Sequence, residues 1–136
     1  MYMANSEPDP KTILVVDDDP KAVELIAVRV LGLASTVLRA YGGREAIETA
    51  RRELPDLIVL DLMMPEVNGF DVVAALMEDP TTAAIPIIVV TAKPITAEDR
   101  VRLNGYVTAI MEKVAFDRDR FIAEVRRAMA GRFAAT

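Results

Sequence analysis

The sequence predicts an α/β fold, in which helices cover both faces of a parallel sheet. Short apolar runs alternate with segments whose apolar residues recur at helical spacing, as in repeated strand–helix units. Runs that are apolar throughout are typical of strands buried on both faces. A length of 136 residues with 52% hydrophobic residues is enough for one domain with a sizeable core. We therefore expect a single doubly wound domain of five strands and five helices.

The first half of the chain contains three of these strands and two of the helices. Asp19 and Pro20 provide an N-cap and a first-turn proline for the first helix, and Gly32 ends it. Pro55 separates the second helix from the third strand. The predicted elements are a strand at Thr12–Val16, a helix from Pro20 to about Leu31, a strand at Thr36–Ala40, a helix from Gly43 to about Glu53 and a strand at Leu57–Leu60.

The second half continues the alternation. Thr96 and Asp99 have the spacing of a capping box, and Asp117 can cap the last helix. Pro80 follows the end of the third helix. The expected apolar stripe of that helix is Phe70, Val73, Ala74 and Met77. The other elements are a strand at Ile87–Val90, a helix from Ala97 to Asn104, a strand at Val107–Met111 and a last helix whose buried face carries Phe121, Val125 and Met129.

Reactive side chains stand at the ends of four strands. Asp61 follows the third strand, Asp17 and Asp18 follow the first, Thr91 ends the fourth, and Lys113 follows the fifth. In an open parallel α/β sheet, ligands bind in the crevice outside the carboxyl ends of the strands. The sequence therefore predicts that these side chains share one site.

The charges of this group indicate a metal ion and a phosphate. Two carboxylates about 4 Å apart repel each other by roughly 4 kcal/mol at an effective dielectric constant near 20, so converging aspartates need a cation. Oxygen ligands without imidazole or thiolate suit Mg²⁺, which usually binds one or two carboxylates together with several waters and a substrate phosphate. An aspartate can act as a nucleophile that forms an aspartyl phosphate, and a lysine can balance the phosphate charge.

Four segments in this order resemble a known family: Val15-Val16-Asp17-Asp18-Asp19-Pro20, the stretch from Pro55 to Gly69, Ile88-Val89-Val90-Thr91-Ala92, and Lys113. They are similar to the receiver domain of bacterial response regulators, the chemotaxis-regulator type. The likeness runs from about Thr12 to about Met129. We therefore expect a receiver domain at residues 12–130, a disordered segment at 1–11 and a C-terminal tail at 131–136. The resemblance also implies the flavodoxin-like strand order 2-1-3-4-5.

The same resemblance implies a role for each site residue. Asp61 accepts the phosphoryl group, Asp18 binds Mg²⁺ directly, Asp17 helps through water, and the backbone carbonyl of Met63 completes the protein ligands. Thr91 and Lys113 are the remaining catalytic residues: the hydroxyl moves to the phosphoryl oxygen and the lysine pairs with it. The implied partners are a histidine kinase or histidine phosphotransfer protein and a downstream protein target. The only expected chemistry is Mg²⁺-dependent self-phosphorylation and dephosphorylation at Asp61, so the chain is not expected to be an enzyme.

Two positions depart from the family pattern and keep a second interpretation open. Val114 follows the lysine where most receivers have a proline, and Ile110 occupies the position of the usual switch aromatic. The alternative is a receiver-like interaction module that is not phosphorylated. An aspartyl phosphohydrolase fits less well, because Pro20 and Lys21 follow the first acidic cluster. A flavin-binding module also fits less well, because the three aspartates would repel the phosphate of the cofactor.

Composition excludes several other functions. The absence of cysteine and histidine removes thiol nucleophiles, imidazole bases and zinc sites, so the chain cannot be a histidine phosphodonor. A net charge of −5 argues against direct nucleic-acid binding. The start of the sequence does not resemble a signal peptide and no apolar run could span a membrane. We therefore expect a cytoplasmic protein with no membrane contact.

The first helix has more apolar residues than one buried face needs. Its core face is expected from Val23, Ile26, Ala27 and Val30. Residues three and four apart are neighbours on a helix, so Ala22, Leu25 and Arg29 form a separate strip beginning one turn beyond Asp18. We expect this strip to dock a histidine-containing phosphodonor, although scattered surface hydrophobic residues are also common.

Overall fold

The computed structural model describes residues 10–134, with side chains through residue 130. In this part of the chain, five parallel strands form one sheet in the order β2-β1-β3-β4-β5. The strands are β1 (Thr12–Val16), β2 (Thr36–Ala40), β3 (Leu57–Leu60), β4 (Ile87–Thr91) and β5 (Ala109–Glu112). The predicted doubly wound fold and its strand order are confirmed.

Helices follow the strands in alternation. They are α1 (Pro20–Val30), α2 (Gly43–Glu53), α3 (Gly69–Glu78), α4 (Ala97–Leu103) and α5 (Arg118–Ala134), with a 3₁₀ turn at Lys113–Ala115 before the last of them. The predicted caps explain where helices begin. The Asp19 carboxylate accepts a hydrogen bond from the N–H of Lys21 at the start of α1. Thr96 and Asp99 form the reciprocal capping box of α4.

Each face of the sheet has its own hydrophobic core. Side chains of a strand alternate between faces, so that Leu14 packs in one core with residues of α2 and α3, and Ile13 in the other with residues of α1 and α5. The predicted core face of α1 is buried, as are Phe121, Val125 and Met129 of α5. The carboxyl ends of all five strands therefore point to one edge of the sheet, between the two helix layers.

The buried face of α3 differs from the predicted stripe. Ala74 is exposed, and Phe70 and Met77 are only half-buried and lie in a groove beside α4. The fully buried apolar side chains of the helix are Val72, Val73 and Leu76. Gly69 at the start of α3 packs against Leu62, where an added Cβ would lie 2.6 Å from the Leu62 Cα. This close approach sets the rotation of the helix, which the apolar pattern does not encode.

The last strand and the last helix also differ from their predicted bounds. β5 begins at Ala109 and ends at Glu112, because pairing with β4 starts where the N–H of Thr108 donates to the carbonyl of Ile87. α5 continues to Ala134, so residues 131–134 are helical and not part of a tail. No proline interrupts residues 118–134, and the single glycine among them costs only about 1 kcal/mol relative to alanine.

The predicted disordered segment and the end of the predicted tail fall largely outside the described residues, at 1–9 and 135–136. Of the predicted segment, Lys11 is fixed: its carbonyl accepts hydrogen bonds from the N–H groups of Ser35 and Thr36. Among the helices of residues 10–134, none has the length and apolar character needed to cross a membrane.

Candidate functional site

The acidic residues meet because their strands are neighbours. The N–H of Asp61 donates to the carbonyl of Val16 at 3.0 Å, and the N–H of Asp17 donates to the carbonyl of Ala40 at 3.2 Å. Carboxylate oxygens of Asp17, Asp18 and Asp61 all lie within 4.8 Å of one another. Asp17 and Asp61 are buried, at 5% and 4% exposure, while Asp18 faces solvent. The strand ends thus build a cluster of three carboxylates that is open on one side.

Lys113 lies against this cluster from the end of β5. Its Nζ atom is 2.6 Å from Oδ2 of Asp17 and 3.9 Å from Oδ2 of Asp61. Residue 112 pairs with Thr91 in the sheet, and a 3₁₀ turn begins at Lys113 immediately after this strand. One ammonium group therefore faces two buried carboxylates.

The environment shifts the pKa values of both charged partners. Burial raises the pKa of the Asp61 carboxyl, and the negative charge of Asp17 raises it further. Three interactions lower the same pKa, but together by less than these two effects raise it. They are the hydrogen bond from the Met63 N–H, the charge of Lys113 and the hydrogen bond with the Thr91 hydroxyl. For Lys113, burial lowers the pKa, but the hydrogen bond to Asp17 and the charge of Asp61 outweigh it, so the net pKa is raised. The lysine stays charged while Asp61 is a more basic carboxylate than an exposed one.

Thr91 is completely buried at the end of β4. Its Oγ1 atom accepts a hydrogen bond of 3.2 Å from the N–H of Lys93. The interaction of its hydroxyl with Asp61 lowers the pKa of that carboxyl. The structure thus brings together all five strand-end residues that the sequence singled out.

The donor set fits a hard divalent cation. Three carboxylates and one ammonium leave a net charge of −2, which an ion such as Mg²⁺ balances. The ligand atoms are all oxygens, and solvent reaches the cluster at Asp18, where Mg²⁺ could keep several waters. The N–H of Met63 donates to Oδ1 of Asp61 at 3.2 Å. Met63, whose backbone carbonyl is an expected metal ligand, therefore lies beside Asp61.

The loop between β3 and α3 ends at Gly69, the last residue of a family-like segment, to which the sequence analysis assigned no packing role. A Cβ at position 69 would lie 2.5 Å from the carbonyl oxygen of Asp61. The N–H of Gly69 also donates to the carbonyl of Leu62 at 3.0 Å. Any larger residue would push α3 away from the acidic cluster, so Gly69 supports the geometry of Asp61.

The three predicted docking residues lie together beside the site. Leu25 is 60% exposed, and Ala22 and Arg29 are partly buried. All three line a cavity of about 220 Å³ that also contacts Lys113 and Phe116. The Arg29 guanidinium stacks over the Phe116 ring at 5.0 Å. The strip therefore borders the crevice that holds Lys113.

The comparisons with known proteins agree with this geometry. A sequence model of the response regulator receiver domain matches residues 13–126. The chain belongs to the response regulator receiver family. It is a phosphoryl-accepting receiver domain of two-component signalling, and the three-aspartate cluster fits the acceptor site. Receiver domains bind Mg²⁺ at an acidic site, interact with histidine kinases and downstream targets, and act in signalling and not as enzymes.

Individual relatives show how much of each protein is shared. The polar-differentiation response regulator DivK of Brucella anthropi is 32% identical over 110 residues, which cover 80% of this chain and 89% of DivK. The probable transcriptional regulatory protein TcrX of Mycobacterium tuberculosis is 35% identical over 99 residues, 73% of this chain but 41% of TcrX. The chain thus spans less than half the length of some relatives that it matches.

A solved structure supports the fold. The receiver domain of the sensor histidine kinase PA1611 from Pseudomonas aeruginosa, with a magnesium ion in its active-site cleft, aligns with a TM-score of 0.77 and 22% identity. The alignment covers 89% of this chain and 98% of that domain.

Proposed function

We propose that Asp61 is the phosphoryl acceptor of this receiver domain. The observation that carries the proposal is the position of Asp61: it is buried, its carboxylate lies within 4.8 Å of those of Asp17 and Asp18, and Lys113 is 3.9 Å away. Burial and the charge of Asp17 raise the pKa of the Asp61 carboxyl, as expected of a more basic nucleophile.

The proposed transfer is a simple displacement at phosphorus. An Asp61 carboxylate oxygen forms a bond to the phosphorus of a phosphohistidine, the phosphorus–nitrogen bond breaks, and its electron pair returns to the imidazole of the donor. The product is an aspartyl phosphate. In dephosphorylation, a water oxygen bonds to the phosphorus, the bond from the phosphorus to the Asp61 oxygen breaks, and the products are the free Asp61 carboxylate and inorganic phosphate. The domain thus carries out only its own phosphorylation and dephosphorylation.

Several residues prepare the site for this reaction. Asp18 and Asp61 would hold Mg²⁺ directly, with the backbone carbonyl of Met63, and Asp17 would help through water. Mg²⁺ supplies positive charge that stabilises the transferring phosphoryl group. A cation held by these residues would neutralise Asp17, which in this structure pairs with Lys113, so the ammonium of Lys113 could pair with the phosphoryl oxygens instead. The Thr91 hydroxyl then moves toward the same oxygens and carries the change into the loop after β4.

In this proposal the phosphodonor is a histidine kinase or a histidine phosphotransfer protein, because receiver domains interact with histidine kinases and the chain has no histidine that could act as a donor itself. We propose that it docks on Ala22, Leu25 and Arg29, because these residues border the crevice and Leu25 is exposed. A downstream protein would read the phosphorylated surface of the last strands and helices. The domain bounds, the absence of direct nucleic-acid binding and the cytoplasmic location expected from the sequence stay predictions.

One test separates this function from a silent interaction module. Acetyl phosphate with Mg²⁺ should label the wild-type chain, and chelation of Mg²⁺ or the substitution Asp61→Asn should prevent labelling. The peptide bond before Val114 is trans, and the three carboxylates and Lys113 lie together without a proline at that position, so we expect the labelled outcome.

A further inference from the structure

Lys93 connects two structural elements through its backbone and its side chain. Its N–H donates to Oγ1 of Thr91 at 3.2 Å. Its ammonium pairs with Oδ2 of Asp99 at 2.6 Å, and the same ammonium reaches the carbonyl of Pro94 at 3.4 Å. Lys93 therefore links the loop between β4 and α4 to Thr91 at the end of the strand and to Asp99 in the first turn of the helix.

Asp99 is well placed to hold this loop. Its side chain is 9% exposed. The oxygen that binds Lys93 also accepts the N–H of Thr96 at 3.1 Å, so one carboxylate oxygen caps α4 and fixes the lysine. On the other side of the loop, the N–H of Ile95 reaches Oε2 of Glu112 at 3.5 Å. A displacement of Lys93 must therefore break contacts with the first turn of α4.

We propose that Asp99 is a positioning residue that, through Lys93, holds the Thr91 hydroxyl in its unphosphorylated orientation. We call Thr91, Lys93 and Asp99 the clamp. The inference rests on the proposed function, in which the Thr91 hydroxyl moves to the phosphoryl group. That movement takes the hydroxyl oxygen away from the N–H of Lys93, and the ion pair with Asp99 prevents the lysine from following it.

The clamp and the phosphoryl group thus favour different arrangements of one loop. Two interactions that favour opposite states of the same element weaken each other by equal amounts, because coupling between binding equilibria is reciprocal. Breaking the clamp should therefore tighten the binding of a phosphoryl mimic. For a partly buried ion pair, we expect a change of about fivefold, which corresponds to about 1 kcal/mol.

The experiment measures the affinity for beryllofluoride at saturating Mg²⁺, followed through the amide NMR signals of residues 92–96. Lys93→Met removes the ammonium but keeps the backbone N–H that contacts Thr91. Asp99→Asn removes the charge but keeps an oxygen that can accept from Thr96. A matched control is Glu24→Gln, which breaks the exposed Glu24–Arg39 pair, also 2.6 Å long.

Each clamp variant should bind beryllofluoride about fivefold more tightly than wild type, and the double variant no more tightly than either. Glu24→Gln should bind like wild type. Unchanged affinity in both clamp variants, even with a lower Tm, would show a merely structural ion pair. Weaker binding would show that Lys93 contacts the phosphoryl group, and additive effects would show two independent residues; each result overturns the clamp. A wild-type chain that binds no beryllofluoride overturns the proposed function, and the clamp with it.

Discussion

The ammonium group of Lys113 donates a hydrogen bond of 2.6 Å to Asp17, across 96 positions of the sequence. The lysine therefore neutralises part of the acidic cluster before any metal binds. Because a divalent cation would take over this role, we expect metal binding to be coupled to the movement of Lys113 toward a phosphoryl group.

Magnesium should stabilise the folded chain through Asp18. At a Mg²⁺ concentration about 100 times the Kd, binding adds about 2.7 kcal/mol to the free energy of unfolding, or roughly 10 °C in Tm for a domain of this size. Asp18→Ala should abolish this shift in calorimetry, and relief of repulsion should leave the metal-free variant more stable than metal-free wild type. The exposed Glu48→Ala is the control. Equal Mg²⁺ affinity in Asp18→Ala and wild type would remove Asp18 from the ligands.

Lys113 should contribute more to the conformational response to phosphorylation than to the phosphorylation reaction itself. In Lys113→Ala the nucleophile and metal ligands remain, so acetyl phosphate should still label the chain, though more slowly. The amide NMR shifts that a phosphoryl mimic causes near Thr91 and Ile110 should shrink, because no ammonium draws the loop to the phosphate. Lys21→Ala, another lysine near the site, should respond like wild type. Full-sized shifts in Lys113→Ala would mean that Thr91 alone carries the signal.

The raised pKa of Asp61 predicts a pH-dependent cost to stability. A carboxyl whose pKa is higher in the folded state binds protons more strongly there than in the unfolded chain. Its stabilising contribution is therefore present below the unfolded pKa, about 3.9, and is lost as pH rises through the folded pKa. Without Mg²⁺, the free energy of unfolding of Asp61→Asn should exceed that of wild type by an amount that grows across this window. A pH-independent difference would contradict the shifted pKa.

Leu25 should affect transfer from a protein donor but not from a small molecule. Leu25→Asp places a charge in the proposed docking strip, so transfer from the cognate histidine donor should slow at least tenfold, the effect of about 1.4 kcal/mol. Labelling by acetyl phosphate and Tm should stay near wild type. Val28→Asp is a close control, since Val28 is 65% exposed on the same helix but does not line the cavity. Equal effects of the two substitutions would refute the docking strip.

The strand-end residues could be predicted because parallel topology itself brings carboxyl ends together. Five signals far apart in sequence, from Asp17 to Lys113, therefore converged as expected. The rotation of α3 could not be read from its apolar pattern, since it depends on the backbone contact between Gly69 and Leu62. Both Phe70 and Val72 are apolar, and only packing decides which one faces the sheet.

The ion pair of Lys93 with Asp99 was also missed. Asp99 was recognised as half of a capping box, a local pattern, whereas its contact with Lys93 depends on the path of an irregular loop. Residues six positions apart are not neighbours on the surface of a helix or along a strand, so no regular pattern predicts this pair. A single sequence does not predict side-chain pairs across irregular loops, so the pairing of Lys93 with Asp99 is evident only in the folded structure.

The most direct test of the account is the intact mass of the chain after incubation with acetyl phosphate and Mg²⁺. We expect wild type to gain the mass of one phosphoryl group. Asp61→Asn should gain none, while Asp119→Asn, an exposed aspartate at the start of α5, should be modified like wild type. A wild-type chain that stays unmodified, or an Asp61→Asn chain that is modified to the same extent, would contradict the assignment of Asp61 as the acceptor.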